Sequence, residues 1–375
     1  MKKSADLSPS PVQVTRSALP PLDSYMECVR DIFDSHWLTN QGKYVQRLEK
    51  DLAQWLDVPM LALCSNGTIA LQLALRLLGL NGKKVITTPF TYVATLSSLL
   101  WEGCEPILAD IDPQTLCIDP AQVEKHLRAH PGVAGLMPVQ VYGNACDVAA
   151  LNALADVHGL RIIYDAAHAF GSRLDGKSLL AYGDASTCSF HSTKLFHTVE
   201  GGCIVTPNPA DYEKLALLRA FGHHGDNHVC LGINGKMSEM HAAMGVCLLP
   251  QVREMIDKRK RLVEIYDCAL EMGNNPHLRK PALHAGLEWN YGYYPVIFLT
   301  ADLMRRSQDA LVKTGIHPRR YFYPSLSKLP YFRGDSCPVA EDIAERILCL
   351  PIWANMDEAI ATRTSDIIME QIGKG

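Results

Sequence analysis

Three short segments of the chain carry residues whose types and spacing could do chemistry. In CSNGT, Cys64 to Thr68, an apolar run gives way to a Gly-Thr pair that opens a helical pattern. Free amides at a helix N-terminus, the helix dipole and a glycine that permits close approach together bind phosphate. In YDAAHAFG, Tyr164 to Gly171, Asp165 follows an apolar run. A carboxylate at the C-terminal edge of a parallel sheet lies where ligands bind in open α/β folds. In SFHSTKLFHTVEGG, Ser189 to Gly202, Lys194 stands among Phe190, Leu195 and Phe196. A lysine drawn into apolar surroundings loses proton affinity and becomes a usable amine nucleophile. Singly, each segment has an ordinary alternative: a capped turn, a core aspartate held by backbone amides, a solvated surface charge.

Together they answer the needs of pyridoxal phosphate. Lys194, 29 residues after Asp165 (194 minus 165), would hold the aldehyde as a Schiff base. The carboxylate would keep the pyridine nitrogen protonated so that the ring accepts electrons, and the helix terminus would anchor the phosphate. Tyr92, in TTPFTYVAT after the run KVITT, could stack on the ring or simply pack in the core.

These residues need a scaffold of strand ends. From about 59 to 206, apolar runs alternate with helical patterns: PMLALC, KVITT, EPILADI, GLMPVQVYG, RIIYDAA, ASTCSF and GGCIVT. Such alternation predicts a mostly parallel sheet covered on both faces. Gln72 and Arg76, four apart in a stretch of Ala and Leu that ends at Gly79, predict a buried helix from Ile69 to Leu78. Asp147 and Gly159 bracket another as N-cap and stop. A long helical pattern runs from Ser238 to Tyr266, and beyond Asn290 strand-like YGYYPVIFL, the aromatic loop RRYFYP and further helices make a smaller α+β domain. The Ser/Pro-rich opening reads as an arm without regular structure before Trp37.

Composition narrows the classes. The chain has 375 residues, enough for two domains. Its formal charge of −4, with no long run of one sign, offers no footprint for nucleic acid or an anionic membrane. No apolar stretch reaches the ~20 residues that span a bilayer, and the opening lacks a signal-peptide core, which points to the cytoplasm. The 12 cysteines are scattered, with no C-x-x-C pair. The histidines of FGHHGDNH (His223, His224, His228) lack a zinc-like pattern, so no metal is expected.

With these residues in view, the chain resembles the sugar aminotransferase family typified by DegT, DnrJ, EryC1 and StrS. The likeness runs from WLTNQG (Trp37 to Gly42) through SNGT, TTPFTYVAT, PVQVYG, YDAAHAFG, SFHSTKLFHTVEGG and GINGKMSEMHAAMG to LCLPIW (Leu348 to Trp353). The resemblance implies an α/β chain of the aspartate aminotransferase-like fold type I, with a mostly parallel seven-stranded sheet and a smaller C-terminal domain. It implies an arm over 1–24, a large pyridoxal-phosphate-binding domain over 25–255, a small domain over 256–375, and a homodimer with shared active sites. Carried over by motif, Lys194 would be the catalytic amine and Asp165 the partner of the pyridine nitrogen. His168 would lie near the phenolic oxygen, and Gly67, Thr68 and Ser189 would hold the phosphate. Tyr92 would stack on the ring, and Asn234 would reach the phosphate of the neighbouring subunit's cofactor. One departure is Lys236, where the family often has an arginine that makes a bidentate fork. WLTNQG and SFHSTKLFHTVEGG are most similar to enzymes that use L-glutamate to aminate nucleotide-linked keto sugars at C-4, making dTDP-4-amino-4,6-dideoxyglucose. Amination at C-3 and a non-catalytic, cofactor-binding regulatory role are the alternatives. A sugar dehydratase of the same fold would carry histidine in place of Lys194.

Overall fold

The seven apolar runs become the strands of one sheet in the computed structural model, which describes residues 11–374. They are β1 (Met60–Cys64), β2 (Lys84–Thr87), β3 (Glu105–Leu108), β4 (Val133–Met137), β5 (Arg161–Asp165), β6 (Ala185–Ser189) and β7 (Gly202–Thr206). Their order is β1-β7-β6-β5-β4-β2-β3. Neighbours are parallel except at β7, which runs antiparallel to both β1 and β6. The mostly parallel seven-stranded sheet expected from the sequence is thus present. Its strands are largely buried because helices cover both faces, and β7 is buried at every residue.

A parallel sheet collects its C-terminal strand ends along one edge. Cys64, Asp165 and Ser189 lie there, and the reversed β7 brings its first residue, Gly202, to the same edge between Cys64 and Ser189. The glycine pair that starts β7 is a steric requirement. A Cβ on Gly202 would come within 2.7 Å of the Asn66 backbone, and one on Gly201 would collide with Thr198 Oγ1.

Local signals place the covering helices. The Asn66 side chain accepts a hydrogen bond from the Ile69 amide and starts the helix Gly67–Leu77, close to the span expected. Asp147 accepts from the Ala150 amide, and Gly159, at φ 66°, ends the helix Val148–His158 as predicted. A buried ion pair ties several elements together: Arg219 donates to Glu49 at 2.6 Å and to the Leu63 carbonyl at 2.5 Å. Glu49 also accepts the Leu63 amide at 2.8 Å and the Tyr212 hydroxyl at 3.0 Å.

Two expectations are corrected. Regular structure begins before Trp37: Val12–Gln13 pairs in parallel with Ile316–His317, and a helix spans Leu22–Ser35. The Tyr25, Cys28 and Ile32 face of that helix packs against the main core and the helix Glu239–Leu248, where Tyr25 Oη donates to the Met240 carbonyl at 3.3 Å, while Leu22 and Phe33 remain exposed. Residues 1–10 of the expected arm lie outside the described residues. The pattern from Ser238 to Tyr266 is two helices, Glu239–Leu248 and Val252–Ala269. Pro250 lacks an amide proton and its ring clashes with the preceding turn, so a short 3-10 turn, Leu249–Gln251, intervenes.

A second apolar core, including Leu262, Tyr266, Tyr294, Phe298, Leu348 and Ile368, packs about a three-stranded antiparallel sheet. Its strands are β8 (Leu278–Arg279), β9 (Pro295–Phe298) and β10 (Ile347–Cys349), in that order. Among the described residues no helix is long and apolar enough to cross a membrane.

Candidate active site

The strand edge opens into a cavity of about 500 Å³. Gly67, Thr68, Tyr92, Asp165, His168, Ser189 and Lys194 all line it, so the structure brings together seven of the eight residues named from the sequence. Asn234 is absent from its walls: it is exposed and bridges to Ala220 on the segment after the helix Pro209–Leu218.

Asp165, the last residue of β5, is 4% exposed. One carboxylate oxygen accepts from Thr95 Oγ1 at 2.7 Å and the other from the Ala167 amide at 3.1 Å. Thr95 Oγ1 in turn lies 3.0 Å from Thr91 Oγ1. Burial pushes the carboxyl's pKa up, against the opposing pull of these hydrogen bonds and of the Lys194 charge. Lys194 follows β6 on a tight turn in which its amide donates to the His191 carbonyl. Its Nζ lies 3.2 Å from Tyr293 Oη and 5.9 Å from that ring's centre. Burial pulls the ammonium's pKa down, only partly offset by Tyr321 and Asp165.

His168 accepts a hydrogen bond from the Tyr142 amide through Nδ1, at 3.2 Å. Burial, and then the Lys194 charge, hold its pKa well below the usual imidazole value. The ring is therefore neutral, with its proton on Nε2, where it can donate. It stacks on Phe322 at 5.5 Å with the planes 1° apart. Tyr92, by contrast, is 54% exposed and stands at the cavity mouth, not in the core.

The residues present fit pyridoxal phosphate. At the helix Gly67–Leu77 the Asn66 side chain and carbonyl take the Ile69 and Ala70 amides, which leaves those of Gly67 and Thr68 without intrahelical acceptors. The backbone at Gly67 is closely flanked, since a Cβ there would lie 2.8 Å from Ser189 Cβ. The buried Asp165 carboxylate has only neutral hydrogen-bond donors, so a protonated ring nitrogen would supply the cation it lacks.

Several wall residues escaped the sequence reading: Thr95, His191, Glu200, Tyr293, Arg319 and Tyr321. Thr95 sits one turn beyond Tyr92 in the motif already singled out. Tyr293 comes from the run just before β9, which reads simply as strand. In the loop RRYFYP, Arg319 and Tyr321 line the cavity while Phe322 packs on Phe90 and His168. The histidines of FGHHGDNH form an exposed two-stranded hairpin that does not line the cavity. Lys236 places its ammonium 5.0 Å from the centre of the Phe221 ring, a cation-π contact instead of a bidentate fork.

Comparison with known proteins agrees with this geometry. The model of the DegT/DnrJ/EryC1/StrS aminotransferase family matches residues 23–369. The dTDP-4-amino-4,6-dideoxy-D-glucose transaminase of Shigella dysenteriae is 38% identical over 93% of this chain and 96% of its own. The Escherichia coli protein of the same name is 34% identical over 96% of this chain and 98% of its own. Among solved structures, DesI in the presence of its TDP-sugar product superimposes with a TM-score of 0.89 at 33% identity, covering 96% of this chain and 92% of DesI.

Proposed function

The chain belongs to the DegT/DnrJ/EryC1/StrS aminotransferase family and is a pyridoxal-phosphate-dependent enzyme; from that premise we propose that it transfers an amino group from L-glutamate to C-4 of dTDP-4-keto-6-deoxy-D-glucose. The observation that carries the reading is one cavity lined by a half-buried lysine amine, a buried carboxylate and an open helix N-terminus.

When bound, pyridoxal phosphate supplies an electron sink for the carbon next to the transferred nitrogen. Gly67 and Thr68 offer their amides, and Ser189 its hydroxyl, to the phosphate. Asp165 holds a negative charge where a ring nitrogen must stay protonated. Lys194 would hold the cofactor through Nζ, and as a free amine the same Nζ would take a proton from the donor's α-carbon and return one on the acceptor side. Its lowered proton affinity suits that work, because a base must be unprotonated to accept. His168 would offer its Nε2 proton to the phenolic oxygen, and Tyr92 would stack on the ring from the cavity mouth.

The working unit in this reading is a homodimer with shared sites. Leu22, Phe33, Trp37 and Leu38 are all more than half exposed, an apolar surface that calls for a partner. Asn234 stands outside its own cavity and is free to reach the phosphate of its neighbour's. Residues 25–255 are taken as the cofactor-binding domain and 256–375 as the small domain, divided inside the helix Val252–Ala269. A cytoplasmic location agrees with 12 cysteines that are all unpaired.

The test is spectroscopic and chemical. Glutamate added to the cofactor-loaded protein should abolish the visible absorbance of the lysine-bound cofactor, and the keto sugar should restore it with formation of the 4-amino sugar. Lys194→Ala should do neither while keeping the native circular dichroism. Loss of the band without an aminated sugar would refute the acceptor, and turnover by Lys194→Ala would refute the mechanism.

A further inference from the structure

Away from the cavity, His126, His130 and Asp335 bring three ligand atoms within 4.8 Å of one another. The two histidines lie four residues apart at the C-terminal end of the helix Pro120–Ala129. His126 is on the last turn and His130 is the residue that ends it, and their rings stack with centroids 5.6 Å apart and planes 21° apart. Asp335 comes from the loop that leads into the helix Pro338–Arg346. His126 is 9% exposed, yet among the described residues its ring nitrogens make no hydrogen bond. The ring nitrogens are not sealed from solvent, so a lone pair stays open to a ligand.

We propose that His126, His130 and Asp335 bind one divalent transition-metal ion of the zinc class, with water completing the coordination. Two imidazoles and a carboxylate are the borderline ligands that zinc accepts. Ligand atoms about 2.0–2.2 Å from a tetrahedral ion sit closer together than 4.8 Å, so small side-chain rotations close the set. None of the three lines the active-site cavity, which makes the site a structural one.

What the ion would join is visible in the packing. Beyond Asp335, Cys337 is buried with its thiol towards the Leu108 carbonyl at the end of β3, at 3.7 Å. The Val339 and Ala340 amides both donate to the Asp110 carboxylate at 2.9 Å. The metal would add a third tie to this seam, clamping the loop before the helix Pro338–Arg346 onto the helix Pro120–Ala129. The two parts of the set lie 205 residues apart (335 minus 130), which is why no spacing rule finds it.

The experiment titrates chelator-treated, cofactor-loaded protein with Zn²⁺ by calorimetry. One ion per chain should bind, and both His130→Gln and Asp335→Asn, at positions outside the deep core, should weaken binding at least about tenfold while transaminase activity stays unchanged. A Cys230→Ser, Cys268→Ser variant, lacking the two exposed thiols, should bind as the parent does. The proposal is overturned if Zn²⁺ produces no saturable binding, if binding survives both ligand substitutions, or if it disappears with the two thiols.

Discussion

Asp165→Asn should stabilise the cofactor-free protein and destabilise the loaded one. Effective desolvation of a buried carboxylate costs several kcal/mol, and its two hydrogen bonds each return about 1.5–3 kcal/mol. A residual cost of ~1–3 kcal/mol therefore remains. Asparagine keeps the volume and removes the charge. Its oxygen can still accept from the Ala167 amide while its NH₂ faces Thr95, whose hydroxyl then donates to Thr91 Oγ1 3.0 Å away. The hydroxyl chain simply reverses, and the proton affinity of Lys194, which burial already lowers, falls further when the Asp165 charge goes.

The cofactor-free variant should thus melt ~1–4 °C above the parent at pH 8. The pH dependence has a definite sign. Because burial raises the folded carboxyl's pKa, the parent keeps its full stability below the ordinary carboxyl range and loses this increment as pH rises through the raised value. The gap between the two proteins must close in acid. With cofactor the order reverses, since removing one member of a buried charge pair costs about 3–5 kcal/mol, or more than a hundredfold in affinity. Thermal melting of both proteins, with and without pyridoxal phosphate and across pH, measures all of this. A cofactor-free variant that melts at or below the parent at pH 8, or equal stabilisation of both by the cofactor, would refute the reasoning.

Two other perturbations probe the frame and the assembly. Arg219→Met should destabilise the protein by about 3–5 kcal/mol in urea, because it leaves Glu49 buried and unpaired; adding Glu49→Gln should recover part of the loss, and a cost below ~1 kcal/mol would count against the network. Mixing inactive Lys194→Ala with Asn234→Ala chains and allowing subunits to reassort should restore activity at about a quarter of the sites, whereas activity no greater than the sum of the separate proteins would mean that Asn234 serves its own cavity or none.

The parts legible in the sequence were those carried by consecutive residues. Seven apolar runs gave seven strands, and Gly67, Asp165 and Lys194 could be placed because each closely follows one of them. Thr95, Tyr293 and Tyr321 were hidden for a different reason. Whether Thr95 meets Asp165, 70 residues on, depends on the phase of the helix Ala94–Trp101. Tyr293 meets Lys194, 99 residues earlier, only because the run before β9 packs against the strand edge. The helix Leu22–Ser35 was readable in principle, since Tyr25, Val29 and Ile32 share one face, but its Ser/Pro-rich approach masks the period.

Burial works on the two charged groups of the site in opposite senses, and this makes the cofactor-free cavity a frustrated one. It pushes Asp165 towards the neutral acid and Lys194 towards the neutral amine. Only the second shift helps the chemistry, for a neutral Nζ can attack a carbonyl and accept a proton. The Asp165 shift runs against function until a cation arrives, and a protonated ring nitrogen is that cation. His168 must stay out of this exchange, since an imidazolium there would repel the charge that Asp165 is placed to hold. Its Nδ1 is committed to the Tyr142 amide and its ring is sealed against Phe322, so desolvation keeps it neutral. The cavity therefore reserves its one strongly buried negative charge for the ligand, and cofactor affinity and the reactivity of Lys194 follow from the same exclusion of water.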